Sequence, residues 1–348
     1  MIFFFLSCFS MQRFDTPIPV QNIWRSTKST HNFQQAWSYS QEHDGRALLI
    51  LEGEELIFSA YAHPPQTPLP FWSGTKTLAC FLAYDAKHKG LITLEEPVSS
   101  TITQWSTDPQ KNTITIEDLL QFTSGLKQDF FVLSLDGFRP PNRQRVKDKY
   151  QFAINQPTEA SARTTWSYGS VHLTVFAALF EKKTGMDIQD WLQKSIFPQI
   201  DFQYAGWNTD RKGQSMLAYG LWTTASELLK LGVLLRDDGM YQGKRVLPAG
   251  LQQFCAQSSS TNPAYGLGIW LNKDMPDHLD FPRPMFQKEG KTPIFHNSGE
   301  GILAFAGAKG QRIYVIPFYD WVVVHQAQEG DTFSDTEFLK HILPSTKP

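Results

Sequence analysis

Ser73-Gly74-Thr75-Lys76 places a hydroxyl three residues ahead of an amine. On a helix, positions i and i+3 share a face, so the Lys76 amine is expected beside the Ser73 hydroxyl. A serine hydroxyl is a weak nucleophile at neutral pH and needs an adjacent base. Lysine serves as that base only where burial or neighbouring cations depress its pKa. The S-x-x-K spacing supplies the pair, and the fold must supply the surroundings. The same spacing recurs at Ser124-Gly125-Leu126-Lys127. Leu78, Phe81 and Leu82 follow the first pair at helical spacing, which predicts a buried helix carrying it inward. Gly125 directly follows Ser124 and predicts a turn, with Ser124 as a turn residue.

The elements that must position this pair follow from periodicity and punctuation. Residues 47–51 and 56–60 are two apolar runs around Glu52-Gly53-Glu54-Glu55, a β-hairpin pattern. Pro64, Pro65, Pro68 and Pro70 form the connection to the Ser73 helix, and Pro70 keeps that helix from starting earlier. Residues 95–250 read as mainly helical. Thr115-Ile116-Glu117-Asp118 and Thr224-Ala225-Ser226-Glu227 carry capping patterns. A stripe of Val171, Val175, Ala178 and Leu179 ends before Gly185, and Gly239 is expected to close the helix that holds Leu228, Leu231, Leu234 and Leu235. Strands are expected at 265–271, 302–308, 312–316 and 321–325, with a last helix at 335–342. Strands at both ends of the chain enclosing helices predict an α+β protein: an antiparallel sheet built from both termini, with an inserted helical domain. The expected units are a leader or disordered stretch at 1–12, a discontinuous sheet domain at 13–94 and 251–348, and an insert at 95–250.

Composition narrows the chemistry. A chain of 348 residues, 41% hydrophobic and 14% aromatic, can bury a substantial core. Its formal net charge is −2 with no basic stripe, which argues against a nucleic-acid partner. Cys8, Cys80 and Cys255 form no C-x-x-C, and the nine histidines form no H-x-x-x-H or H-E-x-x-H, which argues against a metal site. Cys80 reads as a core residue of the Ser73 helix. The apolar run at 2–6 resembles the core of an export signal without a preceding basic residue, and Met11 offers a later start. The expected location is periplasmic or secreted, with a cytoplasmic one as the alternative. No segment is long and apolar enough to be expected to span a membrane.

Several phrases together resemble the serine β-lactamase and penicillin-binding-protein superfamily, in particular its class C-like branch of esterases, D-amino-acid-releasing peptidases and aminohexanoate-oligomer hydrolases. The resemblance runs from roughly residue 45 to 326. Ser73 to Lys76 fits the first motif, and 89–98 looks like the segment after the nucleophile helix. Residues 114–126 are similar to a family phrase that usually carries His where this chain has Phe122. Tyr168-Gly169-Ser170 fits the second motif, Tyr-x-Asn or Tyr-x-Ser. The third motif departs from the family's Lys-Thr-Gly or His-x-Gly. Ala308-Lys309-Gly310-Gln311, followed by Arg312 to Pro317, matches the aminohexanoate-hydrolase phrase with Ala308 where His often stands. His296-Asn297-Ser298-Gly299 resembles the esterase form but lies far ahead of Pro317. The first placement is preferred.

The resemblance implies a hydrolase of β-lactamase-like fold that works through an acyl-enzyme. Ser73 would be the nucleophile, with Lys76 and Tyr168 as the base and acid system. The Ser73 N–H and a strand N–H, at Gln311, would form the oxyanion hole. Ser170 and Trp72 are expected at the substrate, and Phe71, Trp72 and Trp166 are candidates for an apolar acyl pocket. No cofactor or metal is required. The expected substrate is a small carboxylic ester or amide. The alternatives are a β-lactamase or D-alanyl-D-alanine carboxypeptidase, and an inactive binding protein of the same fold.

Overall fold

The computed structural model describes residues 33–129, 146–276, 279, 301–329 and 332–343, together with the backbone of 23–24. His296 lies outside these residues. The strands are β1 (Ile23–Trp24), β2 (Gly45–Glu52), β3 (Glu55–Tyr61), β4 (Leu69–Pro70), β5 (Gly206–Trp207), β6 (Leu221–Thr223), β7 (Met240–Tyr241), β8 (Lys244–Arg245), β9 (Trp270–Leu271), β10 (Leu303–Ala306), β11 (Arg312–Ile316) and β12 (Trp321–Ala327). Seven of them form one antiparallel sheet in the order β1-β3-β2-β12-β11-β10-β9, built from both ends of the chain as expected. β2 pairs with β12 from Glu52↔Trp321 to Ala47↔Gln326, which stitches the two ends together.

Alternation along these strands sorts the sheet into two faces. Arg312, Tyr314 and His325 point to the terminal helices, α1 (Phe33–Glu42) and Asp335–Ile342. Phe305, Ile313 and Val322 point to the other layer. There Phe305 meets Phe71 and Phe81, and Ile313 and Val322 press on Gly232 of the helix Ala225–Arg236. A Cβ at Gly232 would lie 2.3 Å from Val322 Cγ1, so only glycine lets this helix lie so close to the sheet. This helix falls within the expected insert, yet it packs on the main sheet. β4 likewise pairs with β6, which ties the insert to the segment just ahead of Ser73.

Local expectations fare unevenly. Thr115 and Asp118 form the full capping box ahead of α3 (Ile116–Leu120), and Gly185, at φ +70°, ends the helix Val171–Thr184. The strand expected at 265–271 is largely a hairpin turn. Gly266 N–H bonds Ile269 O, Gly268 sits at φ +81°, and only Trp270–Leu271 joins the sheet. Ser73 and Lys76 lie on a 3₁₀ turn, Trp72–Thr77, that leads into the α-helix α2 (Leu78–His88). Side chains at i and i+3 eclipse in a 3₁₀ turn, so the pair is brought closer than an α-helix would bring it. Among the described residues, no helix is long and apolar enough to cross a membrane.

Cys80 is more than a core residue. It forms a disulfide with Cys255, 175 residues away, at a Cα–Cα distance of 5.4 Å. The bond joins α2, one turn past Lys76, to the helix Leu251–Cys255. Closing so long a loop restricts the unfolded chain. Cys80→Ala combined with Cys255→Ala is therefore expected to cost about 2–5 kcal/mol of stability. Thermal unfolding of the two forms checks this, and an unchanged Tm would show that the cross-link contributes nothing.

Candidate active site

Trp72, at φ +50°, turns the chain sharply into the 3₁₀ segment and leaves Ser73 half-exposed at its start. Lys76 points inward and is 2% exposed. Its Nζ lies 3.0 Å from Ser73 Oγ, 2.7 Å from Ala218 O and 5.2 Å from the centre of the Tyr168 ring. Among the described residues no carboxylate pairs with this amine, and burial alone pulls its pKa down to about 7. The Ala218 carbonyl can only accept, so it fixes one N–H and leaves the amine's lone pair available for the serine proton. The turn is locked from behind: Thr77 Oγ1 donates to Gly268 O at 3.1 Å, and a Cβ on Gly268 would come within 2.7 Å of Lys76 O.

Tyr168 is half-buried, but its hydroxyl is wholly enclosed, and burial raises its pKa. The hydroxyl feels Ser73, which moderates that rise, without reaching hydrogen-bond geometry in the free protein. Such contacts often tighten only when substrate binds. Phe122, Trp166, Tyr265 and Trp270 collar the ring, with centroids 5.6, 6.0, 6.3 and 5.8 Å away. Trp166 belongs to this collar, and Phe71 is buried against Phe305 and beneath Gly74. Neither lines an open acyl pocket, because packing claims both rings. Ser170 is 4% exposed at the N-terminus of the helix Val171–Thr184, and Trp72 is half-exposed beside Ser73.

The third-motif phrase folds as the β10–β11 turn. Lys309 and Gly310 occupy the left-handed region at φ +60° and +73°. The Gln311 N–H expected at Ser73 instead donates to Ala308 O at 3.3 Å, within the turn. Gly310 faces His325 and Phe333, on the far side of the sheet. His325 Nδ1 lies 2.6 Å from Gly310 O and must carry the proton, since a carbonyl only accepts; Nε2 then accepts from Ser40 Oγ at 2.8 Å. The residue that meets the Ser73 segment is Gly307. A Cβ there would lie 2.2 Å from Phe71 O and 3.2 Å from Gly74 N, on either side of Ser73. Gly307 N–H bonds Gln311 O at 2.8 Å, so by the alternation of an antiparallel ladder Ala306 N–H points away from β11, past the end of β9.

Behind this strand end, Arg312 is fully buried and held by Asp335 through two bonds of 2.6 and 2.8 Å. Its Nη1 also donates to Gly307 O and Gln311 O, at 2.5 and 2.9 Å. Sequence reasoning missed Gly307, Ala306, Arg312 and Asp335. A glycine interrupting an apolar strand pattern was the one local signal, since it marks a close backbone approach. β10 itself, Leu303-Ala304-Phe305-Ala306, carries no charge.

These features set a half-exposed serine hydroxyl and a buried lysine amine beside a sheet built from both chain ends. The Beta-lactamase family pattern matches residues 30–337, and the chain belongs to that family. Solved structures of similar fold include a putative 6-aminohexanoate-dimer hydrolase from Bacillus anthracis, with TM-score 0.69 and 16% identity, covering 88% of this chain and 79% of that one. EstCE1, a hydrolase with promiscuous acyltransferase activity, aligns with TM-score 0.64 and 14% identity over 89% of this chain and 97% of its own. D-alanine carboxypeptidase AmpC from Burkholderia cenocepacia aligns with TM-score 0.60 and 17% identity over 89% and 97%. At these identities the likeness is one of fold. A curated relative, monacolin J acid methylbutanoyltransferase of Aspergillus terreus, is 26% identical over 147 residues. That match takes in 37% of this chain, and the chain spans 35% of the relative's length.

Proposed function

We propose that the protein is a serine hydrolase that cleaves small carboxylic esters or amides through an acyl-enzyme. One observation carries this reading: a buried lysine, with no carboxylate partner among the described residues, stands 3.0 Å from a half-exposed serine hydroxyl. Neutral Lys76 takes the Ser73 proton as Oγ attacks the carbonyl carbon. Ser73 N–H and Ala306 N–H hold the oxyanion. Tyr168, kept protonated by its enclosure, passes a proton to the leaving group and is resupplied by Lys76. Water then attacks the acyl-enzyme by the reverse proton path. The buried cross-link Cys80–Cys255 favours an oxidising compartment, periplasmic or extracellular.

The strand beside Ser73 favours uncharged substrates. β10 offers no cation, and the Arg312 guanidinium behind it is already neutralised by Asp335. A substrate carboxylate therefore finds no charged partner on this strand. A missing charge-assisted hydrogen bond is worth about 1.5–3 kcal/mol, or roughly ten- to a hundredfold in rate. kcat/KM for p-nitrophenyl butyrate is expected to exceed that for a chromogenic cephalosporin by at least this factor. A fluorophosphonate probe is expected to label Ser73, as read by peptide mapping. Equal or faster cephalosporin turnover would favour a β-lactamase. A folded protein that neither turns over ester nor takes the probe would favour a binding role.

A further inference from the structure

The second S-x-x-K phrase is not a second nucleophile. Ser124 is fully buried, and Lys127 turns outward to Glu159 at 3.6 Å. We propose that Ser124 and His172 form a positioning pair that holds the Tyr168 loop in register with Ser73. The proposal rests on the reading of Tyr168 as the proton donor.

The tautomer of His172 follows from its partners. Nε2 lies 2.9 Å from Ser167 O, an acceptor only, so Nε2 carries the proton. Nδ1 is then bare and accepts from Ser124 Oγ at 2.9 Å. Ser124 Oγ in turn accepts from Leu126 N at 3.3 Å. The imidazole is wholly buried, stacks on Phe122 at 4.8 Å and 10°, and has its pKa depressed to about 4 by burial. It therefore stays neutral and adds no positive charge next to the Lys76 relay.

The pair is one part of a cradle formed by residues 122–128. Ser167 N donates to Phe122 O at 3.1 Å, and Arg163 N donates to Thr123 O at 2.8 Å. On the other side of Tyr168, Val171 N donates to Gln128 Oε1 at 3.1 Å, while Gln128 Nε2 returns a bond to Leu126 O at 2.8 Å. A Cβ on Gly169 would lie 2.0 Å from Gln128 Oε1, so the loop presses directly on this side chain. The residues immediately before Tyr168 and shortly after it are both bonded to the cradle, while the Tyr168 hydroxyl itself makes no hydrogen bond among the described residues. The position of that hydroxyl is thus set by its flanks. Ser124 and His172 are positioning residues, not catalytic ones.

Leaving-group dependence tests this. Loss of proton donation slows esters with poor, alkoxide leaving groups more than those with good, phenolate ones. Ser124→Ala is expected to lower the kcat/KM ratio of ethyl butyrate to p-nitrophenyl butyrate by about tenfold, while Ser73 still reacts with a fluorophosphonate. Gln128→Ala, at the half-buried end of the cradle, is expected to shift the ratio in the same direction and decides the matter if Ser124→Ala does not fold. Equal losses on both esters, or an unchanged ratio, would overturn the proposal. Tyr168→Phe is the control: a ratio unmoved in that variant would remove the tyrosine reading itself, and this proposal with it.

Discussion

Lys76→Met is expected to lower kcat on p-nitrophenyl butyrate by about 10²–10⁴-fold, the usual scale for losing a general base. Methionine fills the buried slot with an apolar chain of similar length, so the change removes the base without opening a large cavity. The pH dependence gives the sharper test. Burial brings the Lys76 pKa down to about 7. Below that pH the amine carries its proton and cannot accept one from Ser73; above it the free base is present. kcat/KM is therefore expected to rise with pH through about 7 and then level off. The enclosed Tyr168 hydroxyl has its pKa raised, so no early alkaline decline follows from it. The buried histidines cannot mimic this limb, because His172 and His325 are pushed down to about 4 and about 3. In Lys76→Met the limb near 7 is expected to vanish along with most of the rate. A limb that persisted there would assign the base role to another group.

What was legible in the sequence was local. Ser73 and Lys76 are three residues apart, so one turn of backbone fixes their geometry, and only the type of turn differed from expectation. The β2–β3 hairpin, the Thr115 capping box and the Gly185 stop depend on neighbours within a few residues and formed where the pattern put them. What was not legible depends on distant segments meeting. Cys80 and Cys255 pair across 175 residues, with no spacing signal between them. The Arg312–Asp335 ion pair joins a strand to the last helix through a buried face that apolar periodicity does not reveal. Ser124 read as a turn residue, and it does lie in a turn, but its bond to His172 crosses to another helix. The third motif was assigned by phrase to the Ala308-Lys309-Gly310-Gln311 turn, whereas the glycine that passes close to the Ser73 segment is Gly307, at the end of β10. That approach is set by how closely β10 passes the Ser73 segment, a tertiary quantity.

That close passage gives the other large expected effect. Gly307→Ala is expected to reduce kcat by about 100-fold or more, with a smaller change in KM. The added Cβ would lie 2.2 Å from Phe71 O, a backbone atom that cannot swing aside, so the strand end or the 3₁₀ turn must move. Either shift would pull apart the two proposed oxyanion donors, Ser73 N–H and Ala306 N–H. Misplacement of about 1 Å costs on the order of 10² in rate, and loss of one oxyanion donor costs about 10²–10³. Arg312 resists relaxation from behind, because its Nη1 holds Gly307 O at 2.5 Å while Asp335 holds the guanidinium. Gly310→Ala provides the comparison. Its Cβ meets His325 Cε1 at 3.3 Å, and the cost there is mainly the φ of +73°, about 1 kcal/mol of stability on the opposite face of the sheet. The measurement is kcat and KM for both variants on p-nitrophenyl butyrate, with thermal unfolding to establish that each is folded. Gly307→Ala should be folded and nearly inactive, and Gly310→Ala somewhat less stable and active. The opposite pattern would return the oxyanion strand to the Lys309-Gly310-Gln311 turn and remove Ala306 from the mechanism.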